Sequence, residues 1–210
     1  MLRVYYTELS ERGTLDESAL PLSAYRREKL RGVSSPLLRR QMLAAEHLLD
    51  QALLELFPDH PLPPDLRRVG KGKPFFASIP LCFSLSHSDV YVACAIADHE
   101  IGMDIQKNSV YREPLARRFF SPEERRFIEE SPDRDAAFTE IWCLKESYIK
   151  ATGEGLTRPL SGFSLSLQDP PRVEGEEAAC FWRFRDPRFR LAVCSLNGCE
   201  PVPDLLMKKS

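Results

Sequence analysis

The segment Val90-Tyr91-Val92-Ala93-Cys94-Ala95-Ile96 is apolar at every position. A strand with one face in water alternates apolar and polar residues. A continuous apolar run, bounded here by Ser88-Asp89 and Asp98-His99, reads instead as a strand buried on both faces. Strands at 82–86 and 100–106 are predicted on either side of it, and another at 2–6. Layers to cover such a sheet are also present. Leu37, Leu38, Met42, Ala45, Leu48, Leu49, Ala52, Leu53 and Leu56 recur at three- and four-residue steps, which predicts a helix over 36–57. It opens on Pro36 and is stopped by Pro58, Pro61, Pro63 and Pro64. A second long helix is expected over 134–151, ending at Gly153. Ser121-Pro122-Glu123-Glu124 carries the signature of another helix start, with Ser121 as cap. Alternation predicts a strand over 162–167, and Asp186-Pro187-Arg188 joins two runs, 180–185 and 189–196, into a hairpin. No element is predicted over the polar stretch around residues 25–31.

Helix-then-strands therefore occurs twice, and Phe83-Ser84-Leu85-Ser86 is echoed by Phe163-Ser164-Leu165-Ser166. Together these suggest an α+β chain of two similar lobes, with the boundary near 98–110. The 210 residues suffice for one large domain or two lobes of about 100 residues each. With 29 Lys+Arg against 31 Asp+Glu, overall basicity gives no pointer to nucleic acid. No apolar run approaches the roughly 18 residues of a membrane helix, and Glu8 falls too early for a secretory signal. The six cysteines form no CxxC pair and lie mostly in apolar stretches, so reduced buried thiols are expected, and a cytoplasmic location with them.

Three places carry chemistry. In Ile101-Gly102-Met103-Asp104-Ile105-Gln106, alternation puts Gly102, Asp104 and Gln106 on one face. A carboxylate beside the open space of a glycine suggests a hard cation or a close ligand there, with a solvated strand end as the plain alternative. On the second long helix, Glu146 and Lys150 are four apart and share a face. They could be an ordinary surface ion pair, but Trp142 and Ile149 beside them argue for function. Ser86-His87-Ser88 offers hydroxyls and an imidazole between strands, and Gly70-Lys71-Gly72-Lys73-Pro74 offers flexible backbone with two ammonium groups. Neither that loop nor Gly153-Glu154-Gly155 has a Walker pattern.

Together, Gly72-Lys73-Pro74, Phe83 to Ser88, Ile101-Gly102-Met103-Asp104, Phe120 to Glu124 and Trp142 to Ala151 resemble the 4′-phosphopantetheinyl transferases of the surfactin-synthetase-activating (Sfp) type. The resemblance runs from about residue 25 to residue 195. It implies a pseudo-dimer of two α+β lobes, 1–102 and 103–210, with coenzyme A between them. The implied reaction moves 4′-phosphopantetheine from coenzyme A to a serine of an apo acyl or peptidyl carrier protein and releases adenosine 3′,5′-bisphosphate. By this resemblance Asp104, Glu146 and Lys150 are catalytic. Asp104 and Glu146 hold Mg²⁺, and Glu146 doubles as base. Arg40, Lys73, Ser86 and His87, with Lys150 and Asp104, bind coenzyme A. Arg26 and Lys29 fall in a stretch that matches only across a gap.

Many relatives carry Asp-x-Glu where this chain has Asp104-Ile105-Gln106, so Gln106 is expected as a neutral third metal ligand or as the site of an extra water. The resemblance also implies service to secondary metabolism or to a broad range of carriers, with residues 108–128 as the carrier's docking region, where Arg112, Arg117, Arg118, Phe119 and Phe120 are available; two lobes in one chain already build the cleft, so a monomer is expected. A non-catalytic module that binds coenzyme A or carrier is the alternative, and the presence of Asp104, Glu146 and Lys150 together argues against it. An RNA-binding reading of Phe181-Trp182-Arg183-Phe184-Arg185 competes with an amphipathic hairpin, aromatics inward and arginines in water. The near-neutral charge favours the hairpin.

Overall fold

The computed structural model describes residues 1–10, 17–70, 72–199 and 203–208. In chain order they form β1 (Leu2–Glu8), α1 (Ala24–Arg31), α2 (Pro36–Leu56), β2 (Leu66–Arg67), β3 (Phe75–Phe76), β4 (Cys82–Ser88), β5 (Tyr91–Ala97) and β6 (Ile101–Lys107). There follow α3 (Glu113–Phe119), α4 (Pro122–Glu130), α5 (Arg134–Thr152), β7 (Leu165–Ser166), β8 (Arg172–Val173), β9 (Cys180–Arg185), β10 (Phe189–Ser195) and β11 (Leu205–Met207). Among these residues no helix is long and apolar enough to cross a membrane.

Two sheets stack face to face with one long helix on each outer side. The first has the order β11-β1-β5-β4 and the second β6-β10-β9. Strand β5 explains the stacking. Its even positions Cys94 and Ile96 pack with Leu48, Leu49, Ala52 and Leu53 of α2. Its odd positions Tyr91, Ala93, Ala95 and Ala97 pack with Ile101, Met103 and Ile105 of β6 and with Leu191 and Val193 of β10. The two-faced burial expected of this strand is therefore met by a helix on one side and a sheet on the other. Outside the second sheet, Ile141, Leu144, Tyr148 and Ala151 of α5 close over Ala192, Cys194 and Phe181.

The two halves repeat one arrangement. In each, a first strand leads to a long helix and then two more strands, and the last strand lies in the middle: β1-β5-β4 and β6-β10-β9. The counterpart of β4 is thus β9, and the Phe-Ser-Leu-Ser echo does not mark equivalent places. Nor do residues 162–167 form one strand. Leu160–Gly162 is a short 3-10 turn, and only Leu165–Ser166 pairs, with Arg172–Val173. On the side of this segment away from β8 lies a buried ion pair, Glu124 with Lys145, at 2.8 Å and with both side chains fully enclosed. Lys145 donates to the Phe163 carbonyl and Glu124 accepts from the Leu165 N–H, so on that side the backbone groups are engaged by side chains and not by another strand. Glu124 also closes the capping box with Ser121, as its position three residues after the cap foretells.

Other expectations change. Residues 24–31 are helical, capped by Ser23, and 113–119 form a further helix. Cys180 and Cys199 form a disulfide, tying the stretch after β10 to the start of β9, while Cys94, Cys143 and Cys194 are buried free thiols and Cys82 is half-buried. The β9–β10 arginines divide: Arg183 and Arg190 are largely covered, whereas Arg185 and Arg188 are exposed, as the amphipathic hairpin predicts for them. Arg183 and Arg185 both bond Glu140 of α5, and Trp182 is buried on the opposite face of the sheet.

Candidate active site

Strand β6 lies under α5 with Gly102, Asp104 and Gln106 turned toward the helix, opposite Cys194, Ala192 and Arg190 of β10. The glycine is not there to leave room for a ligand. A Cβ at Gly102 would stand 2.0 Å from the Ser147 carbonyl oxygen and 2.2 Å from the Ala151 nitrogen, so the space is filled by the backbone of α5. This close approach brings the helix face that carries Glu146 and Lys150 onto Asp104.

Asp104 is 2% exposed. Its Oδ1 accepts from the Ser86 hydroxyl at 2.7 Å and from the Lys150 ammonium at 2.7 Å, and Lys150 also donates to Ser86 Oγ at 2.9 Å. Strands from both halves and α5 thus meet in one three-membered contact. Gln106 Nε2 donates to Asp104 Oδ2 at 3.1 Å, as the shared face requires. Lys150 is therefore paired with Asp104 across the sheet. The carboxylate of Glu146, one helical turn away, has no hydrogen bond or ion pair among the described residues. Partial burial and the nearby charge of Asp104 push its pKa up, against the pull of Lys150.

A cleft of about 250 Å³ opens beside this contact, between Gly72, Lys73 and Pro74 on one side and Ile149, Lys150, Gly153 and Gly155 on the other. Gly153 ends α5 in the left-handed conformation, φ 71°, which turns the chain away and leaves the cleft open. Lys73 donates to the Ile101 carbonyl and lies near Glu100. Burial lowers its pKa, and the charge of Lys150 adds to that. His87 follows Ser86 on β4 and so projects to the opposite face. Its pKa is lowered first by burial, then by the charges of Lys150 and Arg26. Arg26, the doubtful one in sequence, is buried against Glu46 at 2.9 Å yet close enough for its charge to be felt at His87. Arg40 bonds the Ser10 carbonyl, and Lys29 lies over the Tyr25 ring. Neither is among the residues lining the cleft.

The expected metal can be tested against the donors present. Among the described residues no group of three or more His, Cys, Asp or Glu could hold a metal ion. Asp104 and Glu146 do supply two carboxylates, near enough for the charge of Asp104 to raise the pKa of Glu146, with the Gln106 amide alongside. Mg²⁺ binds through one or two carboxylates and otherwise keeps water or substrate phosphate, so this oxygen-only set fits it. In the expected docking region Phe120 is not available: it is buried against Phe138 and Trp142. Arg117 pairs with Glu113, and Arg118 lies over the Phe119 ring.

A family model described as the 4′-phosphopantetheinyl transferase superfamily matches residues 100–194. A 4′-phosphopantetheinyl transferase of Bacillus subtilis is 32% identical over 204 residues, covering 92% of this chain and 91% of that protein. The transferase Sfp of Bacillus subtilis (strain 168) is 34% identical over 139 residues, 62% of either chain. Among solved structures, the holo-[acyl-carrier-protein] synthase of Thermotoga maritima overlaps 48% of this chain and 64% of its own, at a TM-score of 0.42 and 22% identity. The near full-length match to the first of these, added to the motifs that meet around Asp104, identifies the chain as a member of the 4′-phosphopantetheinyl transferase superfamily, of the Sfp type.

Proposed function

We infer that the cleft beside Asp104 is where this transferase moves 4′-phosphopantetheine from coenzyme A to a serine hydroxyl of an apo acyl or peptidyl carrier protein. The observation that supports this most is the joining of Ser86, Asp104 and Lys150 from separate elements beside a carboxylate, Glu146, that has no hydrogen bond or ion pair among the described residues. In the reaction the carrier's serine oxygen forms a bond to the phosphorus that bears pantetheine. The bond from that phosphorus to the bridging oxygen breaks, and adenosine 3′,5′-bisphosphate leaves with the electron pair. The serine proton passes to Glu146, a stronger base than an ordinary carboxylate because burial and the charge of Asp104 raise its pKa. Lys150 sets its ammonium against the oxygens where negative charge grows. Lys73, from the lining of the cleft, and Ser86, His87 and Arg40, from beyond it, would hold the phosphates and ribose of coenzyme A. Asp104, Glu146 and Gln106 are the residues to hold Mg²⁺, which when bound neutralises charge on the pyrophosphate.

The lobes 1–102 and 103–210 would each contribute one wall of the cleft, which makes a monomer sufficient. The carrier's acidic surface would be met by Arg112, Arg117 and Arg118 of the α3 region. Intact-mass spectrometry of an apo carrier protein, incubated with the chain, coenzyme A and Mg²⁺, tests the reading. One added phosphopantetheine, abolished by EDTA and by Glu146→Ala, is the expected result. No added mass on acyl and peptidyl carriers alike, with coenzyme A bound, would favour the non-catalytic module.

A further inference from the structure

Strands β4 and β6 are edge strands of different sheets, yet they run side by side. An edge strand presents N–H groups that need acceptors, and β6 presents them to the inner face of β4. That face carries serine at alternate positions, 84, 86 and 88. Ser84 Oγ accepts from the Met103 N–H at 2.9 Å, and Ser88 Oγ accepts from the Lys107 N–H at 3.1 Å. The offset is nineteen residues in both contacts, so the two strands are parallel and in register without a backbone ladder. The middle serine, Ser86, departs from the pattern and gives its hydroxyl to Asp104. Ser84 is 4% exposed, so the Met103 N–H has no water to turn to.

We propose that Ser84 and Ser88 are positioning residues for the transfer: a two-point clasp that fixes the register of β6 against β4, and thereby sets Asp104 opposite Ser86 and Lys150. Valine or alanine on this face would satisfy packing and leave β6 free to slide. Serine at the two outer positions pins it on both sides of the catalytic carboxylate, at Met103 and at Lys107. Ser84 also lines the cleft, so its action through Asp104 is read in kcat and in the Lys150 environment, and a direct contact with coenzyme A would be read in KM. This inference rests on the transferase reading above for its kinetic consequence, though not for the clasp itself.

The test compares Ser84→Ala, Ser88→Ala and Ser84→Thr with the unaltered chain. A displacement of about 1 Å at a catalytic group can cost up to about a hundredfold in rate, so Ser84→Ala should lower kcat by about tenfold. The KM for coenzyme A should stay within about twofold, since Lys73 and the Gly72–Pro74 loop are untouched. Ser84→Thr, which keeps the hydroxyl, should restore kcat. The same proteins are to be examined by NMR for the Lys150 ammonium resonance and for exchange of the Met103 amide. Ser84→Ala should shift the first and accelerate the second. If Ser84→Ala does not fold, Ser88→Ala, at the more open end, should show a smaller fall in kcat and the same direction of Lys150 shift. An unchanged kcat, a rise in KM in its place, or failure of Ser84→Thr to restore the rate would overturn the proposal. Should the unaltered chain modify no carrier, the transferase reading falls. The clasp would then stand or fall on the Lys150 resonance, which must move in Ser84→Ala if the clasp sets Asp104.

Discussion

Asp50 on α2 offers the sharpest test of the energetics. It is 3% exposed, its Oδ1 is buried without a hydrogen-bond partner, and Glu46 stands one turn earlier on the helix. Glu46 is itself satisfied, by Ser23 through Oε1 and by Arg26 through Oε2, so that arginine is already engaged. Burial first, then the charge of Glu46, raises Asp50 from the usual 3.8 to about 7. The sign follows from linkage. Below pH 4 both folded and unfolded chains hold the proton, and Asp50 costs nothing. Between pH 4 and 7 the unfolded chain releases it while the folded one retains it, so stability falls as pH rises and levels off above 7. At about 1.4 kcal/mol per unit, a shift of about three units is worth about 4 kcal/mol in full, and about 3 kcal/mol of that develops between pH 4.5 and pH 8. Asp50→Asn removes the titration. The amide's own desolvation does not depend on pH and cancels when the two pH values are compared. Urea unfolding of both proteins across that range should therefore show the variant gaining about 3 kcal/mol on the parent as pH rises. A gap that stays constant to within about 1 kcal/mol would refute the reasoning about Asp50.

Three further outcomes are expected. Gly102→Ala sets a methyl group 2.0 Å from the Ser147 carbonyl, a backbone atom that cannot swing aside. It should cost about 3 kcal/mol or more, read as a fall in Tm, and a fully stable variant would mean that α5 can lift from β6. Glu124→Gln leaves the enclosed Lys145 ammonium without its counter-charge, and denaturant unfolding should show a loss of about 3–5 kcal/mol. Gln106→Glu adds a carboxylate beside Asp104 and should lower the Mg²⁺ concentration for half-maximal activity, whereas an unmoved midpoint would place Gln106 outside the metal's reach.

Long, strongly patterned elements were legible in the sequence. The stripe from Leu37 to Leu56 and the all-apolar run at β5 each specify burial over many residues, and both elements lie where the pattern puts them. Alternation on β6 was equally informative, because a period of two puts Asp104 and Gln106 on one face and the structure bonds them to each other. What escaped was set by tertiary contact. Gly102 reads as free space in one dimension and is filled by a helix nearly fifty residues away. Residues 163–166 alternate like a strand, yet on one side Lys145 and Glu124 take their backbone groups. The four-residue echo suggested a repeat at the wrong place, while the repeat itself lies in strand order, which no local pattern displays. Cys180 and Cys199 bond because β9 starts where the chain leaves β10, a proximity their spacing does not announce. Ser84, Ser86 and Ser88 did carry a readable signal, hydroxyls at period two on a strand whose other residues, His87 apart, are apolar.

The charges around the cleft are crowded in like pairs, and this bears on how a polyanion would enter. Burial is the first cause that lowers Lys73 and His87; the charge of Lys150 adds to it at both, against Glu100 at Lys73, and Arg26 adds further at His87. Beneath them, burial first and then the charge of Asp104 raise Glu146. A diphosphate lying between Lys73 and His87 would relieve the cationic crowding, and His87 is the group whose ordinary pKa lies closest to neutral. With its pKa held below the usual value, His87 is neutral at pH 7. Phosphate charge next to it stabilises the imidazolium and moves the pKa up, so coenzyme A binding near pH 6.5 should take up protons. Calorimetric titration in two buffers of different ionisation enthalpy reads that uptake directly, and His87→Gln should remove most of it. Binding with no net proton uptake in the unaltered chain would mean that the phosphates lie away from His87, on the face of β4 that carries Ser86.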